Sequence, residues 1–142
     1  MPLTLVEKFA LGIAGVTSVG IASFILAAPH AFFASYGITL GTDASLLSEL
    51  RAPAAGLVAL GALMLAGLWR ASIAQVSKAA ALTVFLAFPA GRIIGLAVDG
   101  WPSGPILGAL AFELSVAAFC VLVFSRSFEP ERAPLTGSGA GH

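Results

Sequence analysis

Four runs of this chain are each apolar over about the 20 residues that a helix needs to cross a bilayer. They cover about 9–28, 50–69 (uncharged from 52 onward), 79–98 and 105–124. The first and second are free of charge in their apolar parts, the third is broken only by Arg92 and the fourth only by Glu113. Long runs rich in Ala, Leu and Gly do not alternate as the strands of a membrane barrel do, so helices are the expected element. The expected fold is therefore all-α: a four-helix transmembrane bundle, up-down-up-down, over residues 1–126, followed by a disordered tail over 127–142.

Composition agrees. The chain is 58% apolar and 10% charged, against about 25% charged in soluble domains, and its mean hydropathy is +1.00. Seven basic and seven acidic residues cancel, so no field points to nucleic acid. The one cysteine, Cys120, lies in an apolar run and reads as core packing. His30 and His142 are far apart and form no metal or haem ligand pattern. Phosphate loops and nucleophile elbows are absent, so no metal and no cofactor is expected.

The first span could be a cleaved signal peptide, since "FILAAPHA" offers small residues. The leader carries Glu7 beside Lys8, however, the apolar run is long, and Pro29 would hinder cleavage. An uncleaved helix is the reading taken, with Glu7–Lys8 as its solvated start.

"PHAFFASYGITLGTD" reads as a loop whose Phe32, Phe33 and Tyr36 suit a membrane interface. Thr42 or Asp43 can cap a helix beginning near "ASLLSELRAP". "RASIAQVSK" reads as a polar turn and "DGWPSG" as a tight one. The closing "SRSFEPERAPLTGSGAGH" has the composition of a disordered tail. Lys8, Arg70, Lys78, Arg126 and Arg132 fall at the N-terminus, the middle turn and the tail. In a four-span chain these share one side, so both termini are expected in the cytoplasm of a cell with an inner membrane. Trp69 and Trp101 would mark the two interfaces.

The charges within the spans can be compared by depth. Arg92 lies seven residues before Asp99, and Glu113 eight after Pro105, or roughly 10 and 12 Å below the outer ends of spans three and four. The two helices are antiparallel neighbours, so Arg92 and Glu113 should meet. Glu49 and Arg51 lie near the outer start of span two. Glu49, Arg51, Arg92, Asp99 and Glu113 thus gather in the outer half, and the inner half holds no charge within its spans. Gly91 with Gly95, and Gly104 with Gly108, are spaced for close helix approach. Pro53 and Pro89 each remove a backbone donor and should kink their helices at the depth of the cluster.

Two bases against three acids leave one carboxyl to be protonated, to bind an ion or to face water. The leading reading is a structural ion-pair network in a non-enzymatic accessory or scaffold protein: Arg92 with Glu113, and Arg51 with Asp99 or Glu49. The second is a binding or transport site for a lipid headgroup, small acid or proton, which requires an outward-open pocket touching both arginines. The third, weakest, is a membrane enzyme of lipid or quinone chemistry with Glu113 as acid/base. Membrane lipid, and a second copy or another membrane protein, are the expected partners.

"SELRAPAAGLVALGALML", "GRIIGLAVDGWPSG" and "FELSVAAF" together resemble the small bacterial four-helix proteins grouped as domain of unknown function 4345. The matching positions are Glu49, Arg51, Gly91, Arg92, Asp99, Gly100, Pro102 and Glu113, within a likeness covering about residues 9–125. The chain departs at Pro53-Ala54-Ala55, where such proteins often carry an aromatic before paired glycines. The resemblance implies a bacterial integral membrane protein and no particular activity.

Overall fold

The computed structural model describes residues 2–128. Helix α1 (Leu5–Ala27) is followed by short α2 (Pro29–Ala34), then α3 (Ala44–Ala66), α4 (Ala74–Asp99) and α5 (Gly104–Phe124). Four of these, α1, α3, α4 and α5, are long and apolar enough to cross a membrane. α1 packs on α3, α3 on α4, α4 on α5, and α5 returns to α1. The chain is an all-α four-helix transmembrane bundle. Its proximal end carries the start of α1, the α3–α4 turn and the end of α5. Its distal end carries residues 28–43 and the α4–α5 turn.

Local chemistry sets the boundaries. Asp43 caps α3, its Oδ1 accepting from the Leu46 amide at 2.9 Å. Gly37, at φ 76°, closes the turn after α2, where the Ile38 amide reaches back to the Phe33 carbonyl at 3.0 Å. Gly100, at φ 95°, ends α4 in a conformation that side chains disfavour. The expected loop 29–43 therefore contains a helix. The expected polar turn 70–78 is mostly helical, because a 3-10 turn (Ala71–Ile73) leads straight into α4. The tail from residue 129 lies outside the described residues.

The core is made of small residues and a few large ones. Leu11, Met64, Cys120 and Phe124 are fully buried among Ala10, Ala14, Ala22 and Ala81. Large apolar side chains such as Val16, Val98 and Leu122 project outward, as lipid contact requires and as water would penalise. Trp69 at the proximal end and Trp101 at the distal end are both exposed.

Two glycines let α1 and α3 approach closely. A Cβ on Gly61 would stand 2.8 Å from Val19 Cγ2 and 3.0 Å from the Val19 amide nitrogen, and one on Gly15 would stand 2.7 Å from Leu65 Cγ. The expected pairs do not serve this way: at Gly91, Gly104 and Gly108 an added Cβ meets nothing within 4 Å, and at Gly95 only Asp99 of its own helix. Their spacing is right, but the faces they occupy meet no neighbouring backbone. The α3–α4 turn is sealed by Ser77, whose hydroxyl donates to the Leu63 carbonyl at 2.7 Å, a second bond to an acceptor that also takes the Gly67 amide at 3.2 Å.

Candidate functional site

Arg92 projects from α4 and Glu113 from α5 at the same depth, and they meet side-on. Arg92 Nε donates to Oε2 at 2.8 Å and Nη2 donates to Oε1 at 3.0 Å. The Glu113 side chain is 11% exposed and that of Arg92 30%. Two parallel charge-assisted bonds fix both side chains, a geometry that a lysine could not reproduce.

The pair forms part of the wall of a cavity of about 790 Å³ in the distal half of the bundle. All four long helices contribute to it: Ile21 from α1, Leu57 from α3, Phe88 and Gly91 from α4, Ala109 and Phe112 from α5. Phe32, Phe33 and Tyr36 add an aromatic wall at the distal end. Phe32 is its centre, in edge contact with Phe24 and Phe33 and tilted against Tyr36, with ring centroids 5.2–5.5 Å apart. Two bonds brace this segment: Ser103 Oγ donates to the Tyr36 carbonyl at 2.9 Å, and the His30 ring meets the Gly41 carbonyl at 3.1 Å. Residues expected to face the interface thus turn partly inward. Pro53 lines the hollow as well, and α3 and α4 run through Pro53 and Pro89 as continuous helices.

The other expected members of the cluster stand apart. Arg51 is exposed and its Nε donates to the Leu26 carbonyl at 3.3 Å, near the end of α1. It borders a separate groove with Ser48 and Ala52. Glu49 and Asp99 are exposed, so the surplus acids sit outside the bundle. Of the five, the structure brings together Arg92 and Glu113, and the pocket touches one arginine rather than two.

A second pair lies at the proximal end, where no charge was expected inside the spans. Lys78 Nζ and Glu7 Oε1 are 2.6 Å apart, with side chains 5% and 9% exposed. Lys78 also stands 5.9 Å from the centroid of the buried Phe124 ring. Glu7 closes a capping box: its Oε2 accepts from the Thr4 amide at 2.8 Å and the Thr4 hydroxyl at 2.9 Å, and its own amide donates to Thr4 Oγ1. The reading of Glu7 as a solvated helix start is corrected. α1 begins at Leu5 and α4 at Ala74, earlier than the apolar runs, so both residues fall inside helices. Lys8, one position on, is exposed.

A family profile described as a domain of unknown function, DUF4345, matches residues 6–124, more than half of the 142-residue chain. The chain belongs to the DUF4345 family. No curated protein and no solved structure matches it. In this DUF4345 chain the positions quoted above for the resemblance divide by place. Arg92 and Glu113 form the intramembrane pair and Gly91 lines the cavity beside them, whereas Glu49 and Arg51 lie exposed in the distal part of α3 and Asp99 and Gly100 at the distal end of α4. Among the described residues, no group of three or more His, Cys, Asp or Glu is placed to hold a metal ion.

The sequence did carry a signal for the Glu7 site. "TLVE" has the Thr-x-x-Glu spacing of a capping box, and neighbours at i and i+1 point to different faces of a helix. The cavity left no such mark, because the apolar side chains lining it are of the same types as those that fill the core.

Proposed function

We propose that this small integral membrane protein is non-enzymatic and binds a lipid-like amphiphile in the distal cavity. The observation that carries this reading is a hollow within the roughly 300–1,000 Å³ range of ligand pockets, apolar in most of its lining and with one paired charge site in its wall. Both oxygens of Glu113 are engaged by Arg92, which suits a fixed recognition element better than a proton-transferring one. The two ion pairs hold helix register at opposite ends of the bundle, and this accords with a scaffold role for the rest of the fold. The proximal end carries Lys8, Arg70, Lys78 and Arg126 against Glu7, and the distal half Arg51 and Arg92 against Asp43, Glu49, Asp99 and Glu113. This distribution supports a proximal end, with the N-terminus, on the cytoplasmic side of a bacterial inner membrane. Lipid is the partner the reading requires; a second copy or another membrane protein on the outer faces is compatible with it.

The test is native mass spectrometry of the purified protein released from micelles. The wild type should retain one lipid. Gly91→Phe, which projects a ring into the hollow, should retain none while remaining folded. A wild type that emerges bare, or a variant that retains as much as the wild type, refutes the reading.

A further inference from the structure

Arg92 carries five N–H donors, and two of them are spent on Glu113. The remaining three have no partner among the described residues. Two of the three are on Nη1, and among the described residues no buried side-chain nitrogen or oxygen lacks a partner, so Nη1 stands at accessible surface, and Arg92 lines the cavity. Hydrocarbon offers them no acceptor. At the same time Glu113 already balances the guanidinium charge, so a second anion would bring an uncompensated negative charge into a low-dielectric site. The free edge of Arg92 therefore calls for an acceptor without a charge of its own.

Depth narrows the chemistry. α4 has 26 residues and is roughly 39 Å long, close to the 40–45 Å of a bilayer with its headgroup layers. Arg92 lies roughly 10 Å below the distal end of this helix, just inside the hydrocarbon boundary. An acyl ester presents there an uncharged carbonyl joined to a long apolar chain, which matches a polar edge beside an apolar hollow.

Building on the binding role proposed above, we infer that the occupant is an acyl ester lipid, its chain in the cavity and its ester carbonyl accepting from the free N–H edge of Arg92. The ester comes either from a bilayer phospholipid or from a neutral acylglycerol; both present the same carbonyl and chain. Glu113 is then a positioning residue. It aims Arg92 and cancels the charge that would otherwise select a carboxylate.

The full-length protein, delipidated in micelles, is offered four probes in native mass spectrometry: dioleoyl phosphatidylcholine, its dialkyl ether analogue, dioleoylglycerol and oleate. A hydrogen bond to a charged donor is lost in the ether, so the ester should be retained about tenfold better. The order of phosphatidylcholine and dioleoylglycerol assigns the source, and either order supports the inference. Arg92→Gln should bring the ester-to-ether ratio close to one. Glu113→Gln, which leaves the guanidinium charge unbalanced, should turn the preference toward oleate. Equal retention of ester and ether by the wild type, or a wild-type preference for oleate, overturns the ester assignment while leaving an amphiphile-binding role standing. Retention of none of the four overturns both. The ester–ether comparison needs no variant, so a failure of Arg92→Gln to fold does not remove the test.

Discussion

The Arg92–Glu113 pair can be tested by a double-mutant cycle. Glu113→Ala removes a carboxylate that accepts two bonds, at 2.8 and 3.0 Å, and leaves Arg92 without its partner. Breaking a buried ion pair costs about 3–5 kcal/mol. With the carboxylate gone, the long Arg92 side chain can turn toward the headgroup layer at the distal end of α4, roughly 10 Å away, so the lower end, about 3 kcal/mol, applies. Arg92→Ala strands the more deeply buried Glu113, 11% exposed, and should cost about the same or slightly more. The double variant removes both charges and leaves neither unpaired. It should lose about 3–4 kcal/mol rather than the 6 or more of the summed singles, a coupling of about 2–3 kcal/mol. Equilibrium unfolding of the purified protein by a denaturing detergent in mixed micelles, followed by circular dichroism, reads these values. Strictly additive losses would refute the claim that the pair acts as an energetic unit.

Other expectations are narrower. Gly61→Ala should destabilise by about 1–3 kcal/mol, because its Cβ would meet the α1 backbone, whereas Gly56→Ala on the same helix meets nothing within 4 Å and should be neutral in the same unfolding assay. Lys78→Met should cost about 3 kcal/mol and Lys8→Met less than about 0.5 kcal/mol, since one side chain is enclosed and the other exposed. For orientation, an impermeant maleimide added to intact cells should label Ser45→Cys at the distal end and leave Ser72→Cys at the proximal turn unlabelled until the membrane is opened. Cys120 is fully buried and stays silent in that assay. Reversed labelling would invert the orientation.

Much of the architecture could be read along the chain because a bilayer imposes a length and a polarity on every span. The meeting of Arg92 with Glu113 followed from two depths and one short turn, a problem in one dimension. What lay beyond reach depended on rotation about helix axes. The spacing Gly91–Gly95 looks like that of a close-packed seam, yet the contact falls at Gly15 and Gly61, where the faces of α1 and α3 turn toward each other. Arg51 seemed a partner for Asp99 or Glu49, but it points to the open carbonyl of Leu26 instead. Glu7 and Lys78 are separated by 71 positions, and Glu7 beside Lys8 reads along the chain as the solvated start of a helix. The hollow emerges only from how four helices diverge beneath an aromatic wall.

The divided loyalty of the Glu7 carboxylate bears on how the protein is made. Its Oε2 is held by Thr4, three residues away, and its Oε1 by Lys78. A ribosome adding about 5–20 residues per second needs roughly 4 to 14 seconds to make the intervening 71 positions. Throughout that interval α1 must enter the membrane before its lysine exists. Thr4 lies within the first turn and emerges almost together with Glu7, so it can shield the acid while the rest is translated. Thr4 would then matter more to the yield of inserted protein than to the stability of the finished bundle, where Lys78 completes the site.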